Sequence, residues 1–331
     1  MRNIISPMPT GNGAYVVHRM LEKGIPGYTV MPYRPLRELF PPSLLTVGRF
    51  TRAHLIHTTP DHAIFHVRKD VPVVVTFHNY VIDRFMKDYS SPLRYFHYRT
   101  DLKLFTGLAV KCACAVTAVS RFTAGLVKRD LSPRSGVRVI YNGVDHNRFV
   151  PAKRKPSGLS GEIRVLFCGN LTSRKGAQWL APIAERLEPG IKIFFASGLR
   201  PSGLRLDHPR LIPLGPVSHD KMHLVYQDFD MLLFPSVREG FGLVAAEAMA
   251  CGLPVVATNC SSIPELVDDG RGGFLCPLGN VDDFAEKITH LAHNPSMRRE
   301  MGQYNRHRVE RMFTAERMVG EYRALFSGLL S

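Results

Sequence analysis

Phe234-Pro-Ser-Val-Arg-Glu239-Gly-Phe-Gly-Leu-Val-Ala-Ala-Glu247-Ala-Met-Ala-Cys-Gly-Leu-Pro254 is the stretch from which the rest of the chain is read. The apolar run from Met231 to Pro235 has strand length and no polar alternation, so it belongs in a sheet covered on both faces. Gly240 and Gly242 follow, and without a Cβ they let the backbone turn sharply and approach a ligand. An alanine-rich helix is predicted from about Phe241 to Ala250; Gly252 stops it and Pro254 opens the next strand. Strand, glycine turn, helix, strand is the repeating unit of a parallel sheet with right-handed crossovers.

The alternation extends in both directions. Strands are predicted at Ile163 to Cys168, Ile191 to Ser197 and Leu211 to Leu214, with helices from Gly176 to Arg186 and Lys221 to Gln227. Downstream come the strand Pro254 to Thr258, a short helix Ile263 to Val267 and the strand Gly273 to Cys276. The first half repeats the plan less cleanly. A strand Arg2 to Ile5 leads through a glycine turn into a helix from about Ala14 to Lys23, and strands follow at His54 to His57 and Val71 to Phe77. A helix from about Pro92 to Lys111 precedes strands at Ala113 to Val119 and Val137 to Ile140. The run from Pro151 to Gly161, rich in Pro, Gly, Ser and charge, has linker composition.

A chain of 331 residues is too long for one ordinary core and suits two domains. The expected fold is α/β, two Rossmann-like doubly wound parallel-sheet domains, residues 1–150 and 151–314, facing a cleft where ligands bind. Charge separates the halves. Residues 1–150 hold 21 Lys and Arg against 9 Asp and Glu, a balance of +12, and residues 151–331 hold 22 against 19, a balance of +3. Such asymmetry suggests an anionic partner for the first half: a membrane surface, a phosphorylated lipid, an acidic glycan or nucleic acid. No apolar run reaches the roughly 18 residues that span a bilayer. The amino terminus goes from a short strand into Ser, Pro and Gly, so no export signal is expected and the location reads as cytoplasmic. The six cysteines make no CxxC pair and are expected to be free thiols packed in apolar surroundings, Cys112 and Cys114 included.

The chemistry-bearing residues gather at the predicted strand ends. The first amide groups of the helix after Glu239, from about Gly240, Phe241 and Gly242 to Leu243 and Val244, point at an anion, which the helix dipole favours; a diphosphate is the natural guest. Glu239 precedes the helix and Glu247 lies about two turns inside it, so they serve different parts of one extended ligand. A carboxylate accepts from vicinal hydroxyls, which assigns Glu247 to a ribose and Glu239 to a transferred sugar. Arg174 and Lys175, just after the first strand of the second half, supply cations for a departing diphosphate.

This segment, with its glutamates seven residues apart, resembles the signature of retaining GT-B glycosyltransferases of family 4. The resemblance continues in Gly252-Leu-Pro-Val-Val-Ala-Thr258, Ile263-Pro-Glu-Leu-Val267 and Asp269-Gly-Arg-Gly-Gly-Phe274. Upstream it includes Phe167-Cys-Gly-Asn-Leu-Thr-Ser-Arg-Lys175-Gly176 and Tyr141-Asn-Gly-Val-Asp145. It covers residues 110–315 well and residues 1–110 loosely. Where the family commonly carries an arginine after the glycine of that upstream strand, this chain has Asn170, which leaves the positive charge to Arg174 and Lys175. The resemblance places the nucleotide base at the Gly215-Pro-Val217 turn. It likens Val73-Val-Val-Thr-Phe-His78-Asn79 to a segment whose histidine lies close to the transferred sugar, and Gly11-Asn-Gly13 to a loop that approaches phosphate and acceptor. It also implies that the helix from about Ala315 to Leu330 packs back on the first domain.

The implied activity is transfer of a sugar, with retention, from a nucleotide diphosphate-sugar to a glycan or lipid-linked acceptor. It needs no cofactor and no metal, since no DxD pair occurs in a suggestive loop; His54, His57, His62 and His66 are dense, but no HExxH accompanies them. A nucleotide-sugar epimerase or a glycosyl phosphorylase shares the architecture. A dehydrogenase lacks its GxGxxG, and a basic nucleic-acid-binding module lacks any RRM, KH or helix-turn-helix signature, so no nucleic acid is expected. Arg94-Tyr-Phe-His-Tyr-Arg-Thr-Asp-Leu-Lys-Leu-Phe105 mixes aromatics and bases at helical spacing. It reads either as an amphipathic core helix or as a face resting on an anionic membrane, the latter making the protein peripheral on the inner face.

Overall fold

A computed structural model describes residues 2–153, 161–197, 206–215 and 217–331. Most of the expected linker and Pro216 of the expected base turn lie outside the described residues. The chain forms two compact units, Met1–Gly143 with Ala315–Ser331, and Val144–Thr314.

The first unit begins with β1 (Ile4–Pro9), α1 (Gly13–Gly24) and β2 (Tyr28–Tyr33), followed by β3 (Leu55–Thr58) and β4 (Val73–Phe77). Then come α2 (Pro92–Arg99), α3 (Asp101–Cys112), β5 (Ala115–Ala118), α4 (Arg121–Leu131) and β6 (Arg138–Val139). Its sheet runs β2-β1-β3-β4-β5-β6, all parallel. The chain leaves β1 on one side and returns on the other, so the strand order reverses between β1 and β3. β1, β3 and β4 are buried along their whole length, as central strands covered on both faces must be. β2 was not expected from the sequence. It is an edge strand with alternating burial, and it carries a proline, Pro32, which an edge position tolerates.

The single helix expected over Pro92 to Lys111 is two. The chain breaks at Thr100, which has φ −108° and ψ −100° and whose hydroxyl donates to the Phe96 carbonyl at 2.9 Å. A side chain that bonds its own backbone competes with helix continuation.

The second unit contains β7 (Ile163–Gly169), α5 (Leu180–Arg186), β8 (Ile191–Ser197), β9 (Leu211–Pro213), α6 (Met222–Gln227) and β10 (Met231–Phe234). It continues with α7 (Leu243–Ala250), β11 (Val255–Thr258), α8 (Ile263–Leu266), β12 (Gly273–Cys276), α9 (Val281–His293) and α10 (Pro295–Met312). The parallel order is β12-β11-β10-β7-β8-β9, and the reversal falls between β7 and β10. Residues 144–150 pack with this unit. The Val144 amide donates to the Phe313 carbonyl at 2.8 Å, and the Phe149 ring lies 6.0 Å from that of Tyr226.

The last helix, α11 (Ala315–Leu330), belongs to the first unit. A Cβ at Gly24 would come within 2.7 Å of Val319, so the glycine is what lets the end of α1 lie against α11. Tyr322 of the same helix reaches Thr76 of β4, hydroxyl to hydroxyl, at 3.1 Å.

All six cysteines are free thiols. Cys168, Cys251 and Cys276 are buried and Cys260 is half-buried, but Cys112 and Cys114 are exposed. The packing expectation for that pair is corrected: Cys112 ends α3 on its outer side, and Cys114 precedes β5 rather than lying within it.

Candidate active site

In open parallel sheets, ligands bind outside the carboxyl ends of the strands where the order reverses. In the second unit those ends are the exits of β7 and β10. After β7 the chain turns tightly, the Thr172 amide donating to the half-buried Asn170 carbonyl at 2.8 Å, and a single 3-10 turn, Ser173–Lys175, ends at Gly176. Gly176 has φ +74°, and a Cβ on it would sit 2.1 Å from the Pro235 carbonyl oxygen. Only glycine lets this loop lie against the exit of β10. The contact is sealed by the Val237 amide donating to the Arg174 carbonyl at 2.9 Å and by the Arg174 guanidinium donating to the Arg238 carbonyl at 2.8 Å.

Lys175 is thereby aimed at Glu239. Its Nζ is 2.5 Å from Glu239 Oε1, with the two side chains 15% and 10% exposed. Glu239 is fixed at its backbone as well: its amide donates to Ser261 Oγ at 3.1 Å, and Ser262 Oγ donates to its carbonyl at 3.1 Å. Burial pushes the Glu239 carboxyl up. The charges of Lys175 and Arg174 and the bond from Lys175 outweigh burial and hold it below the ordinary carboxylate range. Burial lowers the Lys175 ammonium, an effect that the attraction of Glu239 only partly offsets.

Beyond Glu239, Gly240, Phe241 and Gly242 are buried, and the Phe241 ring meets Phe313 edge-on at 5.4 Å. Gly242 caps α7 with φ +100° and no side chain to bond the first-turn amides. Leu243 and Val244 at the helix start are half-buried. Glu247, inside α7, is 4% exposed and anchored at both oxygens. His219 Nε2 lies 3.0 Å from Oε1, and the Tyr226 hydroxyl donates to Oε2 at 3.0 Å. The hydrogen bond to Glu247 raises His219 above the ordinary histidine range, against the effect of burial. His219 and Tyr226 were not singled out from the sequence, because nothing in their spacing ties the turn before α6 to the interior of α7. Val217 precedes His219 in that turn and is half-buried.

His78, Gly11 and Gly13 belong to the first unit. Gly11, with φ +79° and open space around it, leads to Asn12, whose Oδ1 caps α1 by accepting from the Tyr15 amide at 2.8 Å; Gly13 starts the helix, exposed. His78 follows β4, and behind it runs a buried hydrogen-bonded chain that the sequence did not disclose. His78 Nε2 is 3.0 Å from His18 Nε2, and His18 Nδ1 is 2.7 Å from Ser6 Oγ and 2.8 Å from the Tyr28 hydroxyl. The same hydroxyl is 2.7 Å from His57 Nδ1, whose Nε2 is 2.7 Å from Thr76 Oγ1. Burial lowers all three histidines, His78 to about 3, so the rings are neutral and each carries one proton. A single proton therefore lies between the two Nε2 atoms, so the tautomer of His78 is coupled to that of His18. His78 Nδ1 is buried without a hydrogen-bond partner among the described residues.

Among the described residues no group of three or more His, Cys, Asp or Glu side chains is placed to hold a metal ion, and no helix is long and apolar enough to cross a membrane.

Two Rossmann-like units of six parallel strands each, the second with a Lys–Glu pair where its strand order reverses, define the GT-B class of glycosyltransferase fold. Residues 4–148 match the family described as Glycosyltransferase Family 4 and residues 162–294 the one described as Glycosyl transferases group 1. The chain belongs to the family 4 glycosyltransferases. It is 35% identical over 174 residues to a D-inositol 3-phosphate glycosyltransferase of Mycobacteroides abscessus, a match covering 47% of this chain and 39% of the relative. It is 27% identical over 230 residues to an N-acetyl-alpha-D-glucosaminyl L-malate synthase of Bacillus anthracis, covering 65% and 60%. The matches thus span less than two thirds of either curated relative. Among solved structures, sucrose-phosphate synthase of Thermosynechococcus elongatus superposes with TM-score 0.84 at 20% identity over 99% of both chains. HepE of Anabaena, solved with UDP-glucose, gives 0.78 at 21% identity over 99% of this chain and 100% of that one. At such identities the likeness establishes the fold.

Proposed function

We propose that the protein is a retaining, metal-independent glycosyltransferase that moves a sugar from a nucleotide diphosphate-sugar to a glycan or lipid-linked acceptor. The observation that carries this reading is the Lys175–Glu239 pair at the strand-order reversal, beside a helix start with no side-chain cap. The bond from the anomeric carbon to the diphosphate breaks while the acceptor hydroxyl adds to the same face and its proton passes to the departing phosphate oxygen. Lys175, Arg174 and the α7 amides stabilise the charge that develops there. Glu239 accepts from hydroxyls of the transferred sugar and is not a nucleophile. Glu247 uses one lone pair on each oxygen for His219 and Tyr226, which leaves acceptor capacity on both for a ribose diol. His78 contacts the transferred sugar, Gly11 and Gly13 approach the phosphate, and Asn170 and Val217 line the nucleotide. HepE, a structural neighbour, is solved with UDP-glucose, which favours a nucleotide-sugar donor. The first unit's positive charge suits work at the inner face of a membrane.

The test is incubation with UDP-, GDP- and ADP-sugars, with and without candidate acceptors, followed by mass spectrometry. Release of nucleoside diphosphate with acceptor glycosylation, anomeric configuration retained, supports the proposal. A donor converted to its epimer with no acceptor product overturns it in favour of an epimerase.

A further inference from the structure

We propose that the first unit docks on an anionic bilayer through one face, built from the two 3-10 turns Pro35–Leu39 and Pro41–Thr46 together with α2 and α3. This locates on particular side chains the membrane contact suggested above, and it stands apart from the donor chemistry.

Large apolar side chains protrude along these segments. On the turns Leu36 is 72%, Leu39 82% and Phe40 67% exposed, and Phe50 just beyond is 96% exposed. α2 has no buried residue at all, with Leu93 80% and Phe96 65% exposed. α3 is two-sided: Leu102, Thr106, Ala109 and Val110 are buried, while Leu104 and Leu108 point out, one turn apart and in line with Lys111. α2 lays Tyr98 against the core and turns Leu93 and Phe96 outward, so its outer side is apolar as well. An isolated exposed leucine means little, but a set this dense marks an interaction surface.

The segments are neighbours. Phe65 packs on the small core of Tyr33, Leu44 and Val47 beneath the turns, and its ring meets Phe105 of α3 edge-on at 5.3 Å. α2 joins α3 directly through Thr100.

Charge selects the occupant. Residues 34–52 and 92–112 hold eight Lys and Arg against two acids. Arg34, Arg49, Arg52, Arg94, Lys103 and Lys111 are exposed and make no ion pair among the described residues. The two acids are already engaged, Glu38 by the Tyr33 hydroxyl at 3.2 Å and Asp101 by His97 Nδ1 at 2.7 Å. Leu and Phe on protruding turns, interleaved with unpaired cations, suit shallow insertion among acidic headgroups.

The full chain is tested by flotation with vesicles of phosphatidylcholine alone or mixed with phosphatidylglycerol. Expected is retention on the anionic vesicles at least tenfold above that on neutral ones, weakened by high salt. Leu39→Ser with Phe40→Ser, and separately Arg49→Glu with Lys103→Glu, should each abolish retention while leaving thermal stability and the nucleotide-induced thermal shift unchanged. Equal retention on both vesicle types, or retention that survives both variants, overturns the proposal. So does a dimer in solution that Phe40→Ser converts to monomer without any vesicle binding, which would make the face a contact between copies. Nucleotide binding is read separately, so failure of the transferase reading shows as no shift with any nucleotide while flotation persists.

Discussion

Lys175 Nζ lies 2.5 Å from Glu239 Oε1, across the gap where the chain leaves β7 and β10, so the cation and carboxylate read here as donor-binding groups hold each other in place. Removing one partner strands the other's charge in a nearly buried position, which costs about 3–5 kcal/mol in a fully buried pair and less here. Glu239→Gln or Lys175→Met alone should therefore lower both thermal stability and transfer, the latter by about 100- to 1,000-fold in kcat. The double variant should recover much of the stability and none of the activity. Activity restored along with stability would show that the pair is only structural.

The same pair sets an acid dependence. Glu239 titrates below its ordinary 4.5 in the folded chain, so its contribution to stability is present above 4.5 and is lost as pH falls through the lower folded value. In thermal melts, the difference between wild type and Glu239→Gln should shrink as pH falls below 4.5.

Glu247 and His219 give a titration of opposite sign. The bond to Glu247 raises His219 above 6.5, so its contribution is present below 6.5 and disappears as pH rises through the folded value. In proton NMR the His219 ring should titrate above 6.5 in the wild type and move down in Glu247→Gln. The same variant should weaken nucleotide binding by about tenfold, the loss of about 1.4 kcal/mol of hydrogen bonding. An unmoved His219 midpoint would show that the two groups are not coupled in solution.

His78 is expected to act on transfer more than on nucleotide affinity, so His78→Ala should lower kcat and leave the nucleotide Kd nearly unchanged. His18 acts through His78. Its Nε2 shares one proton with His78 Nε2, and His18→Phe removes that constraint. Ring 15N shifts of His78 should then move toward a tautomer mixture, with kcat lower by about tenfold, the equivalent of about 1.4 kcal/mol. An unaltered His78 pattern would reduce His18 to a packing residue.

How much of this was legible depended on whether the information was local. The strands Val255–Thr258 and Gly273–Cys276 announced themselves as short apolar runs between turn residues, and with Met231–Phe234 they conveyed the parallel α/β fold. β2 did not, because an edge strand may carry Pro32 and alternate its burial. α10 went unassigned because it buries only Met301, Gly302, Asn305 and Val309 of its 18 residues, whereas α9, with Phe284, Ala285, Ile288 and Leu291 buried at helical spacing, was legible and was missed. The motifs located Lys175 and Glu239 separately, 64 residues apart, but their pairing depends on Gly176 letting one loop rest on the other. The buried His78–His18–Tyr28–His57 chain draws on α1, β2, β3 and the end of β4, and no spacing within one element reveals it.

Gly176 offers the most direct test of how the site is built. Its φ of +74° costs a residue with a side chain about 1–2 kcal/mol, and the added Cβ would lie 2.1 Å from the Pro235 carbonyl oxygen, so the loop must also move. Gly176→Ala should lower the melting temperature by about 5 °C or more. Because Lys175 is the preceding residue, its ammonium should leave Glu239, and transfer should fall with it. Gly190→Ala is the matched control, since a Cβ there meets nothing within 4 Å, and it should leave both readouts unchanged. A Gly176→Ala protein with wild-type activity would mean that the position of Lys175 does not depend on this loop, and the electrostatic account of the site would fail with it.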